Sequence, residues 1–359
     1  MFPFNLTKEK YKNIYLCSMK VAIDDKIPFL QPIARKLFDE VVFLPGNAFS
    51  RQVIERADAL IIRTRTLCNR ELLEGSHVKF IATATIGYDH IDTAYLKERN
   101  IVWTNCPGCN ASSVGQYIES CLILLQEEGI VPTSPTIGIV GNGHVGNQVA
   151  LKAQAMGFSV KLNDPPKATK EKDNTHYYSL EELARTCDVI SFHTPLSFNG
   201  DNPTFHLADA DFFSCLKKKP VIINAARGGV IDEHSLLEAY RKNIISTYII
   251  DTWENEPDIN LELLRNAFIG TPHIAGYSAD GKCNASRMAL TAVCNFFHLQ
   301  TDFTITPPQL SNKIVPEKDE AKRKLQLYNP LVDSQRLKEA PEKFEYLRGN
   351  YPLRREFFD

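Results

Sequence analysis

Short apolar runs alternate with amphipathic stretches along most of the chain, and this alternation constrains the fold more than any other feature. A first series begins near Met19 and comprises KVAID, VVFLP, ALIIR, KFIATA and IVWT. A second series begins at Thr136 and comprises TIGIV, FSVKLND, DVISFH, VIINAA and STYIID. Runs of this kind, separated by helix-compatible segments, are typical of βαβ units on a parallel sheet. The sequence therefore predicts an α/β protein with two parallel-sheet domains.

Helical patterns connect and follow the two series. Asn110 is a good N-cap for a long helix from about Ala111 to Glu128, which Gly129 ends. A second helical run, from about Ser278 to His298, could return the chain to the first domain. Beyond residue 300 the sequence is rich in Pro, Lys and Glu, so it can bury little by itself. We expect this region to fold against a partner.

Composition excludes several classes of protein. A chain of 359 residues with 43% hydrophobic residues can form real cores, and a formal net charge of -2 argues against a nucleic-acid partner. No stretch approaches the roughly 18 apolar residues of a membrane span. The first 20 residues also lack the pattern of a signal peptide. We therefore expect a cytoplasmic protein with no membrane partner.

The motif GNGHVG lies between the apolar run TIGIV and an amphipathic helical pattern. In this context Gly141 permits a tight turn, Gly143 lets a pyrophosphate approach the backbone, and Gly146 lets helix and strand pack closely. Asp164 ends the next predicted strand, where a carboxylate can bind a ribose diol and repel a 2′-phosphate. The motif thus favours a Rossmann-like domain that binds NAD rather than NADP. A glycine-rich turn in a cofactor-free α/β domain is the alternative.

Three later side chains follow predicted strands at the edge where ligands bind in open α/β sheets: Arg227, Glu256 and His273. An arginine fork suits a substrate carboxylate. A histidine suits removal of a hydroxyl proton, and a neighbouring glutamate would hold the ring and stabilise the imidazolium. Together they indicate hydride transfer from a 2-hydroxy acid. Taken singly, Glu256 could be a solvated loop charge and His273 a core residue.

Several motifs, taken in order, resemble a known family. GNGHVG with Asp164, HTPL, NAARGGVID, DTWENEP and TPHIAG are similar to the motifs of the D-isomer-specific 2-hydroxyacid dehydrogenases. FIATATIGYDHID, NCPGCNA and the ending from Tyr328 resemble the branch of that family which oxidises 4-phospho-D-erythronate to 2-oxo-3-hydroxy-4-phosphobutanoate in pyridoxal 5′-phosphate (vitamin B6) biosynthesis. The resemblance covers essentially the whole chain from Met19.

The resemblance implies roles for the matching residues. Arg227 and Glu256 match the catalytic arginine and glutamate of the family, and His273 matches its proton donor or acceptor. The cofactor is NAD, and no metal is expected. The positions implied for NAD binding are Gly141, Gly143, His144, Val145, Gly146, Asp164, Thr194, Ala225, Ala226, Arg227, Asp251 and Gly276. The substrate contacts implied are Thr64, Thr85 and Tyr277, with Thr64 standing where the family has serine.

Arg63 and Arg65 flank Thr64 at the end of the run ALIIR, so two cations and a hydroxyl lie where a phosphorylated substrate would enter. This arrangement favours a phosphate clamp that includes Arg63. An ion-paired loop residue is the alternative. The pair Cys106 and Cys109 has redox spacing but no redox or zinc context, and we expect a turn before Asn110.

The domain organisation expected from these observations has four parts. Residues 1–18 form an extension, 19–109 with 276–300 a substrate-binding domain, 110–275 an NAD-binding domain, and 301–359 a C-terminal dimerisation region. The basic tail with Arg348, Arg354 and Arg355 is expected to face the partner in a homodimer. The alternatives for function are another D-2-hydroxyacid dehydrogenase, such as phosphoglycerate dehydrogenase, or a non-catalytic NAD-sensing dimer.

Overall fold

The computed structural model describes residues 18–171, 175–309 and 316–357. The predicted extension lies almost wholly outside the described residues. The described residues belong to two compact units, the first within Met1–Pro107 and Cys283–Thr306, and the second within Gly108–Lys282 and Pro307–Asp359. Among the described residues, no helix is both long and apolar enough to cross a membrane.

The first unit contains a five-stranded parallel sheet with the strand order β2-β1-β3-β4-β5. Buried apolar side chains such as Leu60 and Ile81 fill the space between this sheet and its helices. The strands are β1 Lys20–Asp24, β2 Glu40–Leu44, β3 Ala59–Ile62, β4 Phe80–Thr83 and β5 Val102–Thr104. The helices are α1 Gln31–Leu37, α2 Arg51–Ile54, α3 Arg70–Leu73 and α4 Thr93–Glu98, with a 3₁₀ turn at Gly46–Ala48.

The second unit contains a six-stranded parallel sheet with the order β11-β10-β9-β8-β6-β7. Its strands are β6 Thr136–Val140, β7 Ser159–Asn163, β8 Val189–Phe192, β9 Val221–Asn224, β10 Thr247–Ile250 and β11 Ile269–Gly270. Its first helices are α5 Ala111–Glu127, α6 His144–Ala155, α7 Pro165–Lys170, α8 Leu180–Thr186, α9 Ala210–Ser214, α10 Glu233–Arg241 and α11 Leu261–Asn266. The helix α12 Ala279–Phe296 carries the chain back into the first unit, where Phe296 packs on Phe80.

The register of the second sheet aligns the ends of its strands. Val140 of β6 pairs with Phe192 of β8, Phe192 with Asn224 of β9, and Asn224 with Ile250 of β10. The residue after each of these positions therefore emerges at the same edge. The strand order also reverses at β6, and ligands of open α/β sheets bind at such a reversal.

The predicted α/β fold with two Rossmann-like parallel sheets is confirmed, and each predicted apolar run contains a strand. The predicted turn at Pro107–Asn110 is also present, and Cys106 and Cys109 are buried thiols. Asn110 precedes α5 as predicted, but its side chain makes no capping hydrogen bond. It packs on Gly276 instead, where an added Cβ would lie 2.2 Å from Asn110 Nδ2. The capping role predicted for Asn110 is therefore wrong.

The C-terminal region folds against the second unit of its own chain. It contains the helices α13 Glu320–Leu327, α14 Pro330–Glu339 and α15 Phe344–Gly349, and a 3₁₀ turn at Pro341–Lys343. Leu337 and Phe344 are fully buried in the core that also holds Trp253, and Tyr328 is buried in the core around β6. The expectation that this region buries little within its own chain is therefore wrong. Its role in dimerisation stays a prediction.

Candidate active site

The turn after β6 is closely packed on one side and open on the other. An added Cβ would lie 1.9 Å from Gly141 O at Gly146 and 2.8 Å from His193 O at Gly141, where φ is +92°. Gly143, the residue before α6, has nothing within 4 Å of such a Cβ. Glycine is thus required by the fold at Gly141 and Gly146, while the open face at Gly143 suits a pyrophosphate at the helix N-terminus.

Asp164 lies beside this turn because it directly follows the neighbouring strand β7. Its Oδ2 accepts a hydrogen bond from the backbone N–H of Asn142 at 2.9 Å, and its Oδ1 accepts one from Lys167 at 3.0 Å. The second bond caps α7. Both carboxylate oxygens are therefore held in place next to the glycine-rich turn, as recognition of a ribose diol requires.

The loop after β8 contains buried polar atoms that lack a partner in the structure. These atoms are His193 Nδ1 and Thr194 Oγ1. His193 Nε2 is 2.8 Å from Ser191 Oγ, and burial lowers the pKa of His193 to about 3, so its ring is neutral. A buried polar atom without a partner is unusual in a native protein. The unpartnered Thr194 hydroxyl and the open Gly143 fit a dinucleotide bound at this edge.

The turn that carries Arg227 is held by its neighbours. Asn224 Oδ1 accepts from Ala226 N at 3.1 Å, and Asn224 Nδ2 donates to Arg227 O at 3.0 Å. At Gly228 an added Cβ would lie 1.8 Å from Trp253 O, so the two loops touch through the backbone. The Arg227 side chain is exposed, and its Nη1 donates to Ala226 O at 2.7 Å. A rigid turn thus presents a solvent-accessible guanidinium.

His273 and Glu256 form a hydrogen-bonded pair. His273 Nδ1 lies 2.8 Å from Glu256 Oε2 and 3.0 Å from Oε1, and Oε1 also accepts from Trp253 N at 3.0 Å. Burial alone would raise the pKa of the Glu256 carboxyl, but its bonds to His273 and Trp253 and the charge of Arg348 lower that pKa. Glu256 is therefore a carboxylate that orients the His273 ring.

Asp251 fixes the loop that carries His273. Its Oδ1 accepts from Thr271 Oγ1 and Ile274 N, both at 2.7 Å, and its Oδ2 accepts from Ala275 N at 2.9 Å. Burial raises the pKa of Asp251, against the opposing effects of His273 and these donors. His273 has a φ of +56°, a conformation that non-glycine residues seldom adopt. The three hydrogen bonds of Asp251 hold the loop in this conformation.

The C-terminal region supplies contacts to this site that the sequence did not predict. Arg354 is 8% exposed, and its guanidinium donates to the carbonyl oxygens of Ile274, Ala275 and Tyr277. Arg348 Nη1 lies 3.4 Å from Glu256 Oε2. Arg354 therefore binds its own chain, and the expectation that it faces a partner is wrong. Residues this far apart in the sequence form no local pattern that would reveal their contact. The basic composition of the tail is the sequence feature that indicates a charged contact in this region.

The substrate residues predicted in the first unit follow β3 and β4. Arg63 donates from Nε and Nη2 to the fully buried Asp24 carboxylate, with both distances 3.2 Å, which agrees with the ion-paired alternative. Thr64 is exposed, and Thr85 Oγ1 donates to Gly87 O at 2.8 Å. The role of Arg63 as a phosphate ligand stays a prediction. Its bidentate bond to Asp24 leaves it less able to clamp a phosphate.

The remaining predicted residues lie around the same edge of the second sheet. Tyr277 follows the loop that Asp251 holds, and its backbone N–H donates to Ile274 O at 2.9 Å. His144 and Val145 begin α6 after the open Gly143. Ala225 and Ala226 directly follow β9, and Gly276 packs against Asn110. The roles of these residues in binding stay predictions.

One further cluster has the composition of a metal site. His206, Asp232 and Glu254 bring their ligand atoms within 4.8 Å of one another. His206 Nε2 is 2.9 Å from Glu254 Oε1, and Asp232 accepts from His234 N at 3.2 Å as it caps α10. These groups thus already make hydrogen bonds within the protein. The absence of a metal from the protein stays a prediction.

The comparisons with known proteins agree with this geometry. Residues 126–275 match the model of the D-isomer specific 2-hydroxyacid dehydrogenase, NAD binding domain. The chain is 56% identical over 339 residues to erythronate-4-phosphate dehydrogenase of Bacteroides thetaiotaomicron, with 94% of this chain and 97% of the relative covered. It is 40% identical to the Porphyromonas gingivalis enzyme of the same name, with 94% of each chain covered. The chain belongs to the erythronate-4-phosphate dehydrogenase family. The predicted resemblance is confirmed.

Solved structures of other dehydrogenases share the fold of this erythronate-4-phosphate dehydrogenase family member. NAD⁺-bound 3-phosphoglycerate dehydrogenase of Entamoeba histolytica is 27% identical, with a TM-score of 0.64, and covers 83% of this chain and 100% of its own. D-Lactate dehydrogenase of Aquifex aeolicus, complexed with NAD and lactic acid, is 25% identical, with a TM-score of 0.62, and covers 78% of this chain and 95% of its own. The prediction of NAD as cofactor is confirmed by the matched NAD-binding domain.

Proposed function

We propose that this protein oxidises the C2 hydroxyl of 4-phospho-D-erythronate with NAD and forms 2-oxo-3-hydroxy-4-phosphobutanoate for pyridoxal 5′-phosphate biosynthesis. The observation that carries the proposal is 56% identity over 97% of the length of a relative named for this substrate. The solved dehydrogenases named for lactate and 3-phosphoglycerate are only 25% and 27% identical.

His273 is the proposed base. Its Nδ1 is bonded to Glu256, so Nε2 is the nitrogen left to accept the proton of the C2 hydroxyl. The Glu256 carboxylate stabilises the imidazolium that forms. This pair also argues against a non-catalytic NAD sensor, because a sensor has no need of a proton acceptor oriented in this way.

Arg227 is proposed to bind the substrate carboxylate. Its guanidinium is exposed on a turn whose backbone is fixed by Asn224 and by the contact between Gly228 and Trp253. A fixed turn favours bidentate binding of a carboxylate, since little motion is lost when the substrate arrives. Arg227 would thus hold the carboxylate end of the substrate while the proton of the C2 hydroxyl moves to His273.

The cofactor would be held at the carboxyl edge of the second sheet. Gly143 is proposed to admit the pyrophosphate, Asp164 to bind the ribose diol, and Thr194 and Asp251 to contact the nicotinamide half. When bound, NAD⁺ accepts the hydride that leaves C2. Loss of that hydride and of the hydroxyl proton turns the C2 alcohol into a carbonyl, so the atoms and electrons balance.

The finer features of the proposal concern the substrate phosphate and the assembly. Thr64, Thr85 and Tyr277 are proposed to contact the substrate, and Arg63 is proposed to bind its phosphate, in addition to forming its ion pair with Asp24. We further propose a homodimer that uses the C-terminal region and a cytoplasmic location. Light scattering of the full-length protein that gives the mass of a single chain would contradict the homodimer.

The decisive experiment is a side-by-side assay of NADH formation with 4-phospho-D-erythronate, 3-phosphoglycerate and D-lactate. We expect the highest kcat/KM with 4-phospho-D-erythronate. The variant His273→Asn serves as the control for background turnover, because asparagine tolerates the positive φ at this position. A higher kcat/KM with 3-phosphoglycerate would overturn the proposed substrate, and turnover retained in His273→Asn would overturn the proposed base.

A further inference from the structure

Arg348 lies against the catalytic pair although it comes from the C-terminal region. Its Nη1 is 3.4 Å from Glu256 Oε2, the oxygen that lies 2.8 Å from His273 Nδ1. The other oxygen of Glu256 is 3.0 Å from both Trp253 N and His273 Nδ1. One carboxylate is thus shared between a permanent cation and the imidazole, and both compete for the same oxygen.

Packing holds Arg348 in this position. Its helix α15 begins at Phe344, which is 1% exposed, and Leu347 packs against the same core. The Arg348 side chain is 28% exposed, so it is partly withdrawn from solvent. It also interacts with Tyr277 and forms an ion pair with Glu345 at 3.8 Å. The contact with Glu256 therefore belongs to an anchored helix.

A cation bound to the same carboxylate as the imidazole affects the protonation of that imidazole. The Glu256 carboxylate favours the protonated ring of His273, whereas the charge of Arg348 opposes protonation and draws on the same oxygen. Oxidation of an alcohol needs the ring in its neutral, accepting form. We propose that Arg348 is a positioning residue that fixes the Glu256 carboxylate and opposes protonation of the His273 ring. This inference rests on the proposed function.

Other charged or titratable groups also act on this pair. Asp251 interacts with His273, and Glu233 interacts with both Glu256 and Glu254. Tyr277 and Glu345 interact with Arg348 itself. Arg348 thus supplies a positive charge among acidic and neutral groups. Its removal should make the surroundings of His273 more negative.

The kinetic test compares Arg348→Met with Arg348→Lys in the full-length enzyme. In Arg348→Met we expect the ascending limb of the pH profile to move up by about half a unit to one unit, and kcat at a pH below the limb to fall about three- to tenfold. In Arg348→Lys the ascending limb should lie close to its position in the parent, because lysine keeps the positive charge. The matched control is Arg336→Met, which removes an exposed arginine of α14 and should behave as the parent.

Two outcomes would overturn the proposal. One is a profile in Arg348→Met that coincides with that of the parent. The other is an equal loss of kcat in both Arg348 variants with no movement of the limb, which would indicate a merely structural role. KM for NAD should stay within about twofold of the parent, because the partners of Arg348 are Glu256, Tyr277 and Glu345, and none of them is proposed to bind the dinucleotide.

A second readout separates this proposal from the proposed function. The Cε1–H resonance of His273, assigned with His273→Asn, is titrated by NMR in the parent and in Arg348→Met without substrate. We expect the midpoint to rise in Arg348→Met even if the physiological substrate is a different hydroxy acid. Unchanged midpoints would contradict the role of Arg348, whereas failure of the parent to oxidise 4-phospho-D-erythronate would contradict only the proposed substrate.

Discussion

Glu256 holds His273 through both of its carboxylate oxygens, which lie 2.8 and 3.0 Å from the Nδ1 atom. The pair spans 17 residues of chain, and each partner is fixed independently of the other. The bond from Trp253 N fixes the plane of the carboxylate, and Asp251 fixes the loop of His273. The ring is therefore oriented before substrate arrives, and the charge of Glu256 can be tested apart from its shape.

The first prediction concerns this charge. Glu256→Gln keeps the size of the side chain and an oxygen that can accept from His273, but it removes the negative charge that stabilises the imidazolium. We expect kcat to fall roughly 10- to 100-fold, and the ascending limb of the pH profile to move to lower pH, opposite to the shift expected for Arg348→Met. Steady-state kinetics from pH 6 to 10 measure both effects. A kcat within twofold of the parent and an unmoved limb would contradict the role given to Glu256.

The second prediction separates two glycines of one motif. Gly146→Ala places a Cβ 1.9 Å from Gly141 O and should lower the free energy of unfolding by about 1 to 3 kcal/mol or more. Gly143→Ala meets nothing within 4 Å and has a negative φ, so the free energy of unfolding should change by less than about 0.5 kcal/mol. Its added methyl group nevertheless enters the space proposed for the pyrophosphate, so KM for NAD should rise at least about tenfold.

Urea denaturation and NAD titration of both glycine variants provide the measurement. Each variant is the control of the other, since both carry the same chemical change in the same turn. Tight NAD binding by Gly143→Ala would place the dinucleotide elsewhere, and full stability of Gly146→Ala would be inconsistent with the close approach of helix and strand.

Much of the fold could be predicted because buried parallel strands are continuous apolar runs. The run Val221–Asn224 is wholly buried, and its end delivers Arg227 to the edge of the sheet. The site residues after such strands could be found from the same signal, since parallel register brings strand ends together. In this way the sequence predicts that Arg227, Glu256 and His273 lie at the ligand-binding edge, although it does not reveal their contacts.

The contacts that the sequence did not reveal join residues far apart in the chain. Arg348 pairs with Glu256 across 92 residues, and Arg63 pairs with Asp24 across 39. Whether an arginine binds a phosphate or a carboxylate depends on which group packing brings within reach, and local sequence carries no such information. Asn110 shows the same limit, because Gly276 rather than the helix end determines where its side chain lies.

The third prediction concerns cofactor choice. Asp164→Asn keeps an oxygen that can cap α7. It loses the negative charge that is proposed to face the ribose. We expect KM for NAD to rise roughly 10- to 100-fold, as for loss of a hydrogen bond to a charged group, while KM for NADP falls or stays the same. Kinetics with both cofactors measure the change in their ratio. An unchanged ratio would mean that Asp164 serves the turn alone.

The fourth prediction concerns Glu233, a buried acid that interacts with Glu256. Glu233 is 8% exposed, its Oε1 accepts from Glu254 N at 2.9 Å, and burial together with neighbouring carboxylates raises its pKa to about 7. Between pH 4.5, which is the ordinary pKa of a glutamate, and about pH 7, the carboxyl of Glu233 is protonated in the folded protein but ionised in the unfolded chain. Stability from this group is therefore present below that window and is lost as pH rises through it.

Glu233→Gln removes the titrating carboxyl group, but it keeps an oxygen that can accept the hydrogen bond from Glu254 N. The free energy of unfolding of the variant, relative to that of the parent, should rise by about 1 to 3 kcal/mol between pH 4.5 and pH 8. Urea denaturation at half-unit steps of pH measures the difference. Glu128→Gln, which changes an exposed acid at the end of α5, is the control and should show no such rise. Parallel stability curves for Glu233→Gln and the parent would mean that Glu233 is ionised in the folded protein throughout this range, so that its carboxylate is stabilised by more than the single bond from Glu254.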